Sequence, residues 1–153
     1  MKKSEFLNIC QECKATCCKL GGTNLTKEEV DRVLKKGFEN HFFEVKPGVF
    51  ELKCKEDGVC PYLQEDYSCK IHEVKPLICT CWPIFPEYKD GKIKHELINC
   101  PLTKTMKKED IDKCKKESLC VRLDVAKVTS DESLIPPEQL KLILKRYDDI
   151  EKC

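Results

Sequence analysis

The chain has 153 residues, a length that suits one domain, and its 28 Lys or Arg against 27 Asp or Glu leave a net charge of +1. That balance excludes the basic footprint of a nucleic-acid or anionic-membrane binder and leaves no acidic tail for a basic partner. A chain of this size buries roughly two thirds of its unfolded surface and needs no staples merely to fold, yet it contains 13 Cys, a usage that is rarely accidental.

The N-terminal stretch MKKSEFLNICQEC has two lysines, but Glu5, Asn8 and Gln11 interrupt any apolar run of signal-peptide length. No window approaches the roughly 18 apolar residues of a membrane span, so a cytoplasmic protein with reduced thiols is expected. Ser4 is placed to cap a short helix bringing Phe6, Leu7 and Cys10 toward Cys10-Gln-Glu-Cys-Lys-Ala-Thr-Cys-Cys18, and Gly21-Gly22 then breaks the chain. Thr26-Lys-Glu-Glu29 is a capping box, Val30, Val33 and Leu34 follow at helical spacing, and Gly37 sits at the C-cap, which predicts a helix over 27–36.

Phe43 to Leu52 alternates apolar and polar residues around Pro47-Gly48, and Asp90-Gly91 separates 87–89 from 93–98, so two hairpins are expected. Between them Pro61, Pro76, Pro83 and Pro86 punctuate a stretch too broken for long regular elements. From about Thr105 the period turns helical: Ile111, Cys114, Val121 and Val125 fall near one face of a long charged helix. After Pro136-Pro137, a stripe of Leu140, Ile143, Leu144, Tyr147 and Ile150 predicts a second amphipathic helix, with Leu142 off the stripe. The expected fold is small and α+β, a loop-rich core organised by cysteines and metal over 1–101. A helical pair over 102–153 packs on it within a single domain.

The cysteines are the chemistry. Ten lie within 10–100, and only Cys114, Cys120 and Cys153 follow. Cys10-x2-Cys13 is a spacing that lets two sulfurs reach one metal from a tight turn; a thioredoxin-like pair uses it too, but in a βαβ context this chain lacks. Cys17-Cys18 adds adjacent thiols whose side chains are expected to diverge toward different sites. Further donors follow in Cys60-Pro61, Cys69-Lys-Ile-His72, Cys79-Thr-Cys81-Trp-Pro83 and Cys100-Pro101. Converging thiols without a cation are either protonated or mutually repulsive, and a bound metal supplies the charge that keeps them deprotonated together. Lys14, Lys19, Lys70 and Lys75 flank them. An odd cysteine count suits a closed set of disulfides poorly.

The order CxxCxxxCC, Cys-Pro-x-Leu, Cys-x-Ile-His, basic-Pro, Cys-x-x-Trp-Pro resembles the YkgJ-type cysteine-cluster family, whose domain is described as zinc- or iron-chelating; the match runs from Cys10 to Pro83. The resemblance implies Cys10, Cys13, Cys17, Cys18, Cys60, Cys69 and Cys79 as metal ligands, with Cys100 as an eighth. Cys81 falls where the family is variable and Cys54 lies outside its pattern; with His72 they form a weaker tier. Lys75 and Thr80 stand where the family has arginines. Larger relatives such as flagellin lysine-N-methylases join this kind of domain to methyl transfer, which marks it as a cofactor module.

A structural zinc site and a [4Fe–4S] cluster each take four ligands. The all-thiolate set and the two Cys-Pro steps favour an iron–sulfur cluster, one or two in number, acting in electron transfer or as a metal or cofactor module with a redox or cofactor-dependent protein partner. The alternatives are a zinc-built protein-interaction adaptor and a cluster-dependent enzyme with an open metal site, where Tyr62, Tyr67, His72 and Trp82 are candidate neighbours of the substrate. No nucleotide loop, HExxH helix or nucleophile elbow is present. No nucleic-acid or membrane partner is expected.

Overall fold

A computed structural model describes residues 3–152. Helix α1 (Lys3–Glu12) begins one residue before Ser4, which therefore lies in its first turn. The chain reverses at once through Lys14 and Ala15, both left-handed at φ 56° and 49°, into a 3-10 turn over Thr16–Lys19. Strand β1 (Asn24–Thr26), not anticipated from the sequence, runs straight into α2 (Lys27–Lys35). Its three residues are too few to show alternation, but they bury Leu25 completely. The capping box of α2 forms as expected: the Glu29 N–H donates to the Thr26 hydroxyl and the Thr26 N–H to the Glu29 carboxylate.

Both hairpins are present. Strands β2 (Phe42–Lys46) and β3 (Val49–Leu52) join β1 in an antiparallel sheet of order β1-β3-β2, with a bulge between Glu44 and Lys46. Strands β4 (Ile84–Lys89) and β5 (Lys92–Leu97) pair through a tight turn in which Asp90 and Gly91 both take positive φ. β4 begins earlier than the turn signals suggest and includes Pro86, tolerated because a two-stranded ribbon leaves one side of each strand unpaired. A 3-10 turn over His72–Val74 and one short helix, α3 (Leu77–Thr80), interrupt the loops between the hairpins.

The C-terminal half departs from the expected pair of helices. α4 (Pro101–Thr105) precedes α5 (Lys108–Ser118), and the long charged helix breaks at Leu119–Arg122 before α6 (Leu123–Thr129). Neither Gly nor Pro marks that break. Arg122 is extended at ψ 145°, with its guanidinium on Asp124 and the Gly48 carbonyl, and the bend carries Val121, Val125 and Ala126 onto Val49 and Ile78. A straight helix would have drawn those side chains off the core. α7 (Pro137–Lys152) starts where the double proline predicts, but Leu144 is 46% exposed while Leu142 is half-buried, the reverse of the expected stripe. Ile143 is its buried anchor, set against Gly21. The side chains of Phe6, Tyr147 and Ile150, and Cys153, lie outside the described residues.

Three apolar clusters result. One joins Val33, Leu52, Tyr62, Ile71 and Val74 and supports Cys60 and Cys69; one lies under α6; one gathers Ile9, Cys100 and Leu102 with Leu20, Trp82 and Met106. Among the described residues no helix is long and apolar enough to cross a membrane.

Candidate metal centre

Four backbone devices bring the thiols together. The Ala15 N–H donates to the Cys10 carbonyl (2.8 Å), so the left-handed reversal folds Cys17 and Cys18 back over the end of α1. The Cys60 N–H donates to the Cys18 carbonyl (2.8 Å), joining the first cysteine run to the middle of the chain. Cys69 pairs with Leu63 in an isolated antiparallel bridge and is thereby returned to Cys60. Finally, the Glu29 carboxylate that closes the α2 capping box with one oxygen accepts from the Leu77 N–H with the other (2.7 Å), fixing the first turn of α3 and so Cys79.

The result is a thiol group centred on Cys18. Cys10, Cys54, Cys60, Cys69 and Cys79 are each close enough to Cys18 to feel its charge, and Cys10 also feels Cys13 and Cys69. Every described cysteine is a thiol, with no disulfide among the described residues. Burial, reinforced by Cys13 and Cys18, pushes the Cys10 thiol up to about 12. Burial likewise raises Cys60 to about 12 and raises Cys69 and Cys79. For Cys18 the largest cause of its upward shift is a hydrogen bond to the Cys17 side chain, with burial next. The two adjacent thiols thus lie within hydrogen-bonding reach of each other. Lys75 opposes these shifts at Cys10, Cys18, Cys69 and Cys79.

A metal fits this donor set chemically: burial and the neighbouring thiols keep these soft donors neutral, and a thiophilic cation reverses that preference. Among the described residues no three His, Cys, Asp or Glu side chains already stand in metal-holding geometry. Cys13 Sγ, for example, donates to the Cys10 carbonyl at 3.7 Å. Closing on a cation therefore requires side-chain rotations, which thiols make at small cost.

Other cysteines go elsewhere. Cys100 packs with Ile9 and Leu102, its sulfur 3.7 Å from the Thr103 hydroxyl. Cys81 is fully buried, donates to the Ile78 and Ile84 carbonyls, and neighbours Cys114 and Ser118. Cys120 is exposed in the break that follows α5. His72 lines a cleft of about 260 Å³ with Cys69, Lys36 and Phe38. Of the aromatic residues near the thiols in sequence, Tyr62 packs with Cys60 and Cys69. Tyr62 is 2% exposed and donates its hydroxyl to the Glu39 carbonyl, Lys19 Nζ lies 5.5 Å over the Tyr67 ring, and Trp82 packs on the Cys100 cluster.

Two positioning residues were not legible in the sequence. Arg146 of α7 donates from Nη1 to the Lys19 and Asp57 carbonyls, and Gln139 donates to those of Lys55 and Glu56. Both sit on what reads as the polar face of an amphipathic helix, and nothing local distinguishes a tertiary strap from a solvated charge.

The family model described as "CxxCxxCC: Putative zinc- or iron-chelating domain" matches residues 9–113. The chain belongs to this family. Its own run places three residues between Cys13 and Cys17, one more than the family's name spells. A search of the curated proteins found no match, and neither did a search of the solved structures.

Proposed function

We propose that the family's metal chemistry takes the form of an iron–sulfur cluster of the [4Fe–4S] kind here, and that the chain is an electron-transfer or cofactor module for a protein partner. The observation behind this reading is the composition of the thiol group. Cysteines from three separate segments meet at Cys18, and the side chains acting on Cys10, Cys18, Cys69 and Cys79 are other thiols and the lysines Lys19 and Lys75. A sulfur-only set with more donors than one mononuclear site uses suits a polynuclear core, and the lysines offset its residual negative charge. Such a cluster would supply one-electron chemistry. The chain's own residues supply thiolates, the Lys75 charge, and the water-excluding cover of Tyr62 and Ile71, which pack with Cys60 and Cys69.

Zinc held by the same thiolates is the competing reading, a metal the family's description names beside iron. Protein purified without oxygen separates the two. The iron–sulfur reading expects brown protein with a broad absorption shoulder on the order of 400 nm from sulfur-to-iron charge transfer, and loss of iron in Cys10→Ala and Cys79→Ala. Colourless protein with stoichiometric zinc would refute it.

A further inference from the structure

Cys69 packs against the apolar cluster of Tyr62 and Ile71, and it also lines a cleft of about 260 Å³ with Lys36, Phe38, Lys70, His72 and Glu73. The cleft is firmly built. The His72 N–H donates to the Cys69 carbonyl (3.2 Å) and the Val74 N–H to the Ile71 carbonyl (2.9 Å), closing the 3-10 turn that follows Cys69, while the Lys70 N–H is held on the Tyr62 carbonyl (2.9 Å). The other wall comes from the end of α2, whose Val33 shares one apolar cluster with Ile71 and Val74. Lys36 and Lys70 are exposed, and neither is ion-paired among the described residues. Glu73 is the one carboxylate of the lining; Glu39, the next along the chain from Lys36, lies on His41 instead (3.1 Å). The cleft is smaller than the roughly 300–1,000 Å³ that encloses a cofactor-sized molecule, so it suits side chains of a docked protein better than a nucleotide or a flavin.

We infer that this cleft is where an acidic one-electron carrier protein docks, its carboxylates on Lys36 and Lys70 and an apolar side chain against Phe38, with Cys69 the sulfur nearest the exchange. The docking stands on the cleft, whereas the electron rests on the iron–sulfur reading proposed above. One electron passes between the cluster and the carrier's cofactor, one oxidised as the other is reduced, and no bond forms or breaks. Two unpaired lysines beside exposed apolar surface steer an acidic partner and let it leave again, as a transient contact burying less than about 1,200 Å² requires.

The metal-loaded full chain, kept free of oxygen, is mixed with oxidised flavodoxin as the acidic probe and treated with a water-soluble carbodiimide, which joins carboxylates to lysines in contact. The joined peptides are read by mass. Lys36 and Lys70 are expected to carry about fivefold more cross-link than Lys92 and Lys108, exposed elsewhere on the chain. That excess should vanish in about 1 M salt, where charges are screened beyond about 3 Å. The doubly substituted Lys36→Glu, Lys70→Glu chain, once reduced, should pass electrons to flavodoxin about tenfold more slowly than wild type, and the Lys92→Glu, Lys108→Glu chain, equal in net charge, within about twofold of it. Cross-links spread evenly over the exposed lysines, or equal rates in the two variants, overturn the docking site. Links between two copies of the chain through Lys36 and Lys70 would assign the cleft to self-association and overturn it as well. Colourless, zinc-holding protein that still cross-links to flavodoxin at Lys36 and Lys70 would refute the iron–sulfur reading while bearing out the docking surface.

Discussion

Glu29 ties two helices with one carboxylate, and removing it is expected to loosen both the fold and the metal centre. Its two oxygens each accept a backbone N–H at 2.7 Å, from Thr26 and from Leu77. Hydrogen bonds to a charged group contribute about 1.5–3 kcal/mol each, and loss of a helix cap costs about 1 kcal/mol. These overlap, and water reaches part of this half-buried position, so Glu29→Ala should destabilise the metal-free protein by about 2–4 kcal/mol. With a urea slope near 2 kcal/mol/M, the unfolding midpoint falls by about 1–2 M. Glu29→Gln keeps one acceptor but turns an NH₂ toward the other N–H, so roughly half the loss is expected. Amide exchange gives the local readout: Leu77 should exchange faster in Glu29→Ala, whereas Asp31→Asn, exposed on the same helix, should change neither quantity. A midpoint shift no larger than that control, or an unchanged Leu77 rate, would refute the double-anchor reasoning.

Gly22→Ala should be among the most damaging small substitutions, because an added Cβ would lie 2.1 Å from the Leu52 carbonyl oxygen, and backbone cannot yield as a side chain can. The expected cost is about 3 kcal/mol or more, at the upper end of overpacking, read as a fall in thermal midpoint of roughly 6–12 °C; a fall of under about 2 °C would contradict the close approach. Lys14→Gly should stabilise by about 1 kcal/mol, since Lys14 is exposed and left-handed at φ 56°, and an unchanged midpoint would argue against that conformation. Asp124 is held below the usual carboxylate range chiefly by its hydrogen bonds from Arg122. A lowered folded pKa means stability present above the unfolded value and lost as pH falls through the folded one. Wild type should therefore exceed Asp124→Asn by about 0.2–1 kcal/mol at neutral pH, as befits a half-exposed pair. The gap should close below about pH 3, and a gap that persists there would exclude the ion pair as its source.

Local chemistry was legible wherever a signal is complete within a few residues. The capping box at Thr26 and the turns at Pro47-Gly48 and Asp90-Gly91 appear where the residues place them, because caps and tight turns are decided by backbone dihedrals and neighbouring side chains. β1 escaped notice because three residues cannot display a period, and the break before α6 because Arg122 is extended for the sake of contacts with Gly48 and Asp124 rather than for any breaker of its own. In α7 the exchange of Leu142 for Leu144 on the covered side follows from where Ile143 meets Gly21, which no helical wheel contains.

The sequence by itself determined the chemistry of this protein: a crowd of soft donors with lysines beside them, spaced so that metal is the economical way to hold them together, in an order its family shares. Only the tertiary structure decided which thiols meet. Cys10, Cys18, Cys60, Cys69 and Cys79 are assembled by hydrogen bonds spanning dozens of residues, from Cys60 to Cys18 and from Leu77 to Glu29. Cys81 is fully buried against the Ile78 and Ile84 carbonyls, and Cys100 packs with Ile9 and Leu102. A cysteine is both a metal ligand and a small hydrophobe, and residue identity cannot say which role it plays; its neighbours in space do.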